Sequence, residues 1–198
     1  MLSFKKVFIL ILLFCFAGIS MFAQAASEKK ALMLIAKSEF QDEEFAKPKE
    51  VLEKNGVKVT VASTVLTEVT GMNGAKAKPD ILLSDVQVSD YDAIIFIGGS
   101  GAVQYLNDPV AMKLAQDAVD ADKIVGAICI APVILANAGV LKGKKATVFF
   151  SEVDKLKAKE VNYTAKGVEI DGKIITADGP GSAQEFGEAI YKALTLLW

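Results

Sequence analysis

Lys123-Ile-Val-Gly-Ala-Ile-Cys129-Ile-Ala-Pro-Val-Ile-Leu-Ala-Asn-Ala-Gly139 is the stretch from which the fold can be read. The apolar, β-branched run entering Cys129 has the composition of a buried parallel strand. A helix-compatible run, residues 130–138, leaves the cysteine and stops at Gly139, which suits a helix C-cap. Strand into helix across one residue places Cys129 on a sharp turn, and two readings of it follow. On such a turn the sulfur is exposed to the unpaired N–H groups of the helix start, which favour the reactive thiolate. Alternatively, Cys129 is a small buried hydrophobe, as most free cysteines are.

Outward from this stretch, strands and helices alternate. Residues 30–36 form a short apolar run that reads as a parallel strand, followed by a polar turn. Residues 43–55 have helical periodicity, with Phe45, Pro48 and Leu52 on one face and Gly56 as the stop. Pro48 either kinks this helix or sits in its first turn. Residues 57–61 alternate as a second strand. Residues 64–88 contain Gly71, Gly74 and Pro79 between short β-prone pieces, which predicts one or two hairpins added at a sheet edge. Residues 91–97 are another buried strand, followed directly by Gly98-Gly-Ser-Gly101. Residues 103–106 and 109–120 are helical, with Pro109 suited to a helix start. After the Cys129 segment come a strand at 146–150, a short charged helix at 151–160, and a hairpin at 168–176 turning on Asp171-Gly172. Gly179-Pro180-Gly181 opens a last helix whose apolar face is Phe186, Ile190, Ala193 and Leu197. This alternation predicts an α/β fold, a mostly parallel sheet covered on both faces with an added β-hairpin. Ligand sites in such sheets lie beyond the carboxyl ends of the strands. Three of those ends carry residues capable of chemistry: 39–44, 98–101 and Cys129.

The chain has 198 residues, net charge −2 and 52% apolar residues, a fraction raised by its N-terminus. A short basic start, an unbroken apolar run at 7–17 and Ala23-Gln-Ala25 together read as a secretory signal peptide over residues 1–25. Residues 26–198 are then a single exported domain, periplasmic or secreted, without stable membrane insertion. The alternative is an uncleaved anchor, although residues 7–23 are short for a spanning helix. An acidic domain without a basic stripe argues against nucleic-acid binding. Cleavage removes Cys15 and leaves Cys129 without an internal disulfide partner. The chain contains neither histidine nor arginine. Cys–His pairs, histidine metal sites and arginine anion clamps are therefore excluded within one chain, and no metal or cofactor is expected.

Gly98 and Gly99 let backbone approach a ligand, and their N–H groups are able to stabilise an oxyanion beside Cys129; equally, the glycine run is simply a tight turn. Its spacing is not that of a dinucleotide fingerprint. Glu39, Asp42, Glu43 and Glu44 suit a solvated helix start, where acids favour the dipole. One of them reaching the cysteine would have its pKa raised by burial beside an anion, and would donate to sulfur and shuttle a proton.

Taken together, Ala127-Ile-Cys-Ile-Ala-Pro132, Gly98-Gly-Ser-Gly-Ala-Val-Gln-Tyr-Leu-Asn-Asp108, Phe40-Gln-Asp-Glu-Glu44 and Ile174-Ile-Thr-Ala-Asp-Gly-Pro-Gly181 resemble the ThiJ/PfpI superfamily, which includes parkinsonism-associated redox chaperones and deglycases. The resemblance implies a flavodoxin-like three-layer sandwich, usually a homodimer. It implies Cys129 as nucleophile on its elbow, Glu44 as the glutamate bonded to it, and Gly99 and Ile130 as backbone donors of the oxyanion pocket. Peptidase members carry histidine directly after the cysteine, where this chain has Ile130. Other members keep a histidine near Phe149 or an arginine at the place of Asp178. What this pattern leaves is a Cys–Glu pair suited to attack on a small electrophile, an α-oxoaldehyde or its adduct, as a glyoxalase or deglycase. The same pair suits oxidation of Cys129 to a stabilised sulfinate in a redox-responsive chaperone or sensor. Cysteine peptidase chemistry ranks last, because no copy of the chain supplies histidine.

Overall fold

A computed structural model describes residues 28–196. Its centre is a seven-stranded sheet built from β1 (Lys30–Leu34), β2 (Lys58–Ser63), β5 (Ile81–Leu82), β6 (Ala93–Phe96), β7 (Ile124–Ile128), β10 (Val168–Asp171) and β11 (Ile174–Ala177). Their order is β10-β11-β7-β6-β1-β2-β5, and every neighbouring pair is parallel except β10 with β11. The chain winds outward from β1 to β2, then returns to place β6 on the other side of β1. β1 and β6 therefore flank the point where the winding reverses, the usual place for a crevice in open α/β sheets.

Period-two alternation assigns the two faces. Leu32, Leu34, Ile94, Phe96, Val125 and Ala127 pack on one side with α2 (Pro109–Asp120), α3 (Pro132–Asn137) and Leu156 of α4 (Val153–Lys157). Ala31, Met33, Ile35, Ala93, Ile95 and Ile97 pack on the other with α1 (Asp42–Lys54) and α5 (Ala183–Thr195). The result is the mostly parallel sheet covered on both faces that the alternation predicts, arranged as the flavodoxin-like three-layer α/β sandwich that the resemblance implies. α2 starts at Pro109, with Asp108 accepting the N–H groups of Val110 and Ala111 as its cap. Pro48 lies inside α1, and its missing N–H leaves the Glu44 carbonyl without its helical donor.

Three segments depart from expectation. Within 64–88 a single hairpin forms, β3 (Val69–Thr70) with β4 (Lys76–Ala77), as a sheet of its own, while β5 extends the main sheet in parallel. In the segment 146–150, Lys145–Ala146 alone is strand (β8), paired with β9 (Asn162–Tyr163). Beyond it the Thr147 N–H donates to Thr176 Oγ1 and the Phe149 N–H to the Cys129 carbonyl, so these groups leave the ladder. The helix after Cys129 begins at Pro132 and has 6 residues. No helix among the described residues is long and apolar enough to cross a membrane. The leader expected over residues 1–25 and the face residue Leu197 lie outside the described residues.

Candidate functional site

The carboxyl ends of β1, β6, β7 and β11 meet at one edge of the sheet. After β1, Glu39 turns the chain with φ 53° and Gln41 caps α1, its Oε1 accepting the Glu44 N–H at 2.8 Å. That cap orients the first turn of α1, and the turn's acids then separate in role. Asp42 is buried and accepts the N–H groups of Asn73 (2.9 Å) and Ala75 (2.7 Å), fastening the β3–β4 hairpin to the helix. Glu43 pairs with Lys47 on the surface, and Glu39 accepts from the Ser100 hydroxyl. Glu44 points inward and has no exposed surface.

After β6, the Gly98–Gly99 turn is laced to the β1 loop. The Gln41 N–H donates to the Gly98 carbonyl (3.0 Å) and the Gly101 N–H to the Glu39 carbonyl (3.0 Å). A Cβ on Gly98 would lie 2.5 Å from Glu44 Oε2 and 2.6 Å from the Cys129 Cβ, so this glycine is the floor on which carboxyl and cysteine meet. Gly99 has φ 105°, and a Cβ there would strike the backbone of residues 39–41. After β7, Cys129 adopts φ 63°, a left-handed conformation unusual for a residue with a side chain. Two backbone bonds hold it there: the Cys129 N–H to the Ala177 carbonyl (2.9 Å) and the Phe149 N–H to the Cys129 carbonyl (2.8 Å).

The structure thus gathers Cys129, Glu44, Gly98, Gly99 and Ile130 at one place. Burial pushes the Glu44 carboxyl up to about 7; the Cys129 thiol and the Gly98 backbone, which favour the ionised form, oppose this, and the charge of Asp178 adds to it. Neither Glu44 oxygen completes a well-formed hydrogen bond. Burial pushes the Cys129 thiol up to about 12, and the neighbouring Glu44 charge adds to the rise. The backbone N–H groups of Gly99 and Ile130 pull the other way. The exposed, low-pKa thiolate expected from the turn is therefore corrected: the side chain is buried, with 7% of the residue accessible. Helix α3 starts three residues on and is too short to carry the N-terminal effect. At neutral pH the Glu44 carboxyl is therefore about half ionised, while the thiol beside it keeps its proton.

Two residues of this edge, marked by the resemblance only as places where other members keep histidine or arginine, take part here. β11 is a fourth strand end beside β7, and it delivers Asp178, whose charge acts on Glu44. Phe149 is tied directly to the Cys129 carbonyl. The signal for Asp178 was the parallel pairing of β11 with β7, which the hairpin at 168–176 concealed. Among the described residues, no group of three or more His, Cys, Asp or Glu is placed to hold a metal ion.

Comparison with known proteins agrees with this architecture. The sequence model of the DJ-1/PfpI family matches residues 29–193. An uncharacterized protein of Methanocaldococcus jannaschii is 43% identical over 168 residues, 83% of this chain and 82% of that one. The glutathione-independent glyoxalase DJR-1.2 of Caenorhabditis elegans is 31% identical over 169 residues, 85% of this chain and 90% of that one. The crystal structure of a ThiJ/PfpI domain protein from Brachyspira murdochii superposes with a TM-score of 0.85 at 31% identity, covering 87% of this chain and 100% of that one. The chain belongs to the DJ-1/PfpI family.

Proposed function

We propose that this DJ-1/PfpI family member converts small reactive carbonyl compounds, α-oxoaldehydes or their adducts, in a glyoxalase- or deglycase-type reaction carried by Cys129 and Glu44. The observation that carries this reading is a fully buried carboxyl, poised at about 7, against the only cysteine among the described residues. A base of that pKa accepts and returns protons with equal ease at neutral pH. The similarity to a glutathione-independent glyoxalase supports the same substrate class.

Because the free thiol is held protonated, sulfur is activated by transfer rather than by a standing thiolate. As the S–C bond forms at the aldehyde carbon, the thiol proton passes to the Glu44 carboxylate. The carbonyl pair moves onto oxygen, where the Gly99 and Ile130 N–H groups are donors. The alkoxide takes the proton back and a hemithioacetal results. Glu44 then removes the hydrogen of that carbon, leaving an enediolate, and returns the proton to the neighbouring carbon; the hydroxyl proton of the first carbon passes to the oxygen of the second as the first C=O forms, giving the thioester of a 2-hydroxy acid. Water cleaves the thioester, releasing the acid and restoring the thiol. Methylglyoxal turned into lactate by the protein, with Cys129→Ser lower by on the order of 100-fold or more, supports the reading. Lactate formation no faster than in Cys129→Ser overturns it.

A second reading is a redox-responsive chaperone or sensor, favoured by the backbone donors at the sulfur, which would equally hold a sulfinate. Peroxide treatment followed by mass measurement and client-holding assays tests it; identical behaviour of oxidised and reduced protein rules it out. For location, the composition of residues 1–25 supports export to the periplasm or beyond, and an N-terminus at Ala26 in protein recovered from an expressing cell checks it. For assembly we propose a homodimer, as the family resemblance implies, checked by sedimentation.

A further inference from the structure

Next to the Cys129 turn lies a cavity of about 320 Å³, within the range of small-molecule sites. Its walls include Phe149, Phe150, Tyr163, Asp178 and Ser182. Two of these are joined to the cysteine's own backbone connections. The Phe149 N–H donates to the Cys129 carbonyl, and Asp178 follows Ala177, the acceptor of the Cys129 N–H. The Phe149 ring rests over Gly179, where a Cβ would stand 3.5 Å from Cδ2, and its centroid lies 4.6 Å from that of Phe150. Asp178, in the same lining, is fixed in place: its Oδ1 accepts from the Ser182 hydroxyl at 2.6 Å and its N–H donates to the Gly167 carbonyl. No lysine lines this cavity, and none of the ion pairs among the described residues involves Asp178.

We propose that this cavity is a charge-selecting subsite, in which the Asp178 carboxylate and the Phe149 ring receive an ammonium or guanidinium group carried by the electrophile that reacts at Cys129. The inference rests on the reading of Cys129 as the reacting atom. A fixed carboxylate offers the cation a counter-charge, and an aromatic face adds cation–π attraction. The same carboxylate disfavours an anionic electrophile. The effect of Asp178 on Glu44 is independent support that its charge reaches the reacting pair.

The experiment compares the rates at which three methanethiosulfonates modify Cys129 in the folded protein: a trimethylammonioethyl, a sulfonatoethyl and a methyl reagent. In each case the sulfur forms a disulfide and methanesulfinate leaves. Rates are taken relative to those of the same reagents with 2-mercaptoethanol. The expected cationic-to-anionic ratio is about tenfold above the reference. Asp178→Asn, which keeps the acceptor for Ser182, brings the cationic-to-anionic ratio down about tenfold, while any change it makes in the Cys129–Glu44 pair itself is common to all three reagents and is read from the methyl reagent. Phe149→Leu lowers the rate of the cationic reagent alone. A ratio that survives Asp178→Asn overturns the proposal, and so does a Cys129 that reacts with none of the three while the protein is folded. Because no turnover is read, selectivity without lactate formation would keep the subsite and discard the glyoxalase reading.

Discussion

At Cys129 the backbone is left-handed, a conformation that costs a residue with a side chain about 1–2 kcal/mol. Its two backbone hydrogen bonds, to Ala177 and from Phe149, supply the constraint that keeps it there. The contact side of this arrangement is Gly98. A methyl group at that position has no space between the Glu44 carboxyl and the Cys129 Cβ, at 2.5 and 2.6 Å. Gly98→Ala is therefore expected to lower turnover by on the order of 100-fold with both reacting side chains still present, measured as kcat/KM alongside a melting curve. The titration of the pair gives a second expectation. Alkylation of Cys129 by iodoacetamide rises through a step near 7, as the pair loses its first proton, and then levels until the second begins to leave towards 12. Glu44→Gln removes the step near 7. A single step close to the ordinary thiol value would show that the carboxyl and sulfur are not coupled.

Among the elements, α1 carries Glu44, and its position is set by α5. At Gly187 of α5 the two helices pack tightly: a Cβ there would lie 2.8 Å from Pro48 Cα and 3.3 Å from the Val51 Cβ. The first of these is backbone and does not yield. Gly187→Ala should destabilise by about 1–3 kcal/mol, as overpacked sites do, and reduce turnover by shifting the Glu44 turn. Gly181→Ala, where nothing lies within 4 Å, is the control for stability and should leave it unchanged. Urea unfolding and lactate assays on the two variants check this. Much at this scale was legible in the chain. The apolar runs at 30–36, 91–97 and 123–128 became β1, β6 and β7, because a strand buried on both faces has no polar positions to hide its pattern. The faces of α1 and α5 followed from helical spacing. Where reading failed, side-chain and site contacts had replaced regular pairing: at 147–149 the backbone bonds to Thr176 and Cys129, and at 71–75 to Asp42. The residues themselves singled out Cys129, the glycines and four acids at 39–44, and the resemblance pointed to Glu44 among them; the state of the thiol depends on burial and on an opposed charge, neither of which is local in sequence.

Across the whole molecule, the reversal of winding at β1 and β6 brings Glu44 and Cys129 together under cover, and that cover sets function against stability. The Glu44 pKa is raised from 4.5 to about 7 on folding. A folded state that binds its proton more tightly gains stability fully below the unfolded value and loses it as pH rises through the folded value. Between pH 4.5 and 7 the burial of this one carboxyl is thus worth about 3 kcal/mol, progressively withdrawn as it ionises. Glu44→Gln stays neutral at every pH. It should match the parent near pH 4.5 and exceed it by about 3 kcal/mol at pH 8, in urea unfolding at both values. Turnover runs in the opposite direction, because the base must be ionised to take the thiol proton: it rises through a midpoint near 7 and is lost in the same variant. Cys129→Ala separates the two effects, since it abolishes turnover while leaving the carboxyl buried. It should keep the decline in stability between pH 4.5 and 8. If Glu44→Gln gains nothing at pH 8, the carboxyl is solvated in the folded protein and the proton-transfer step assigned to it fails.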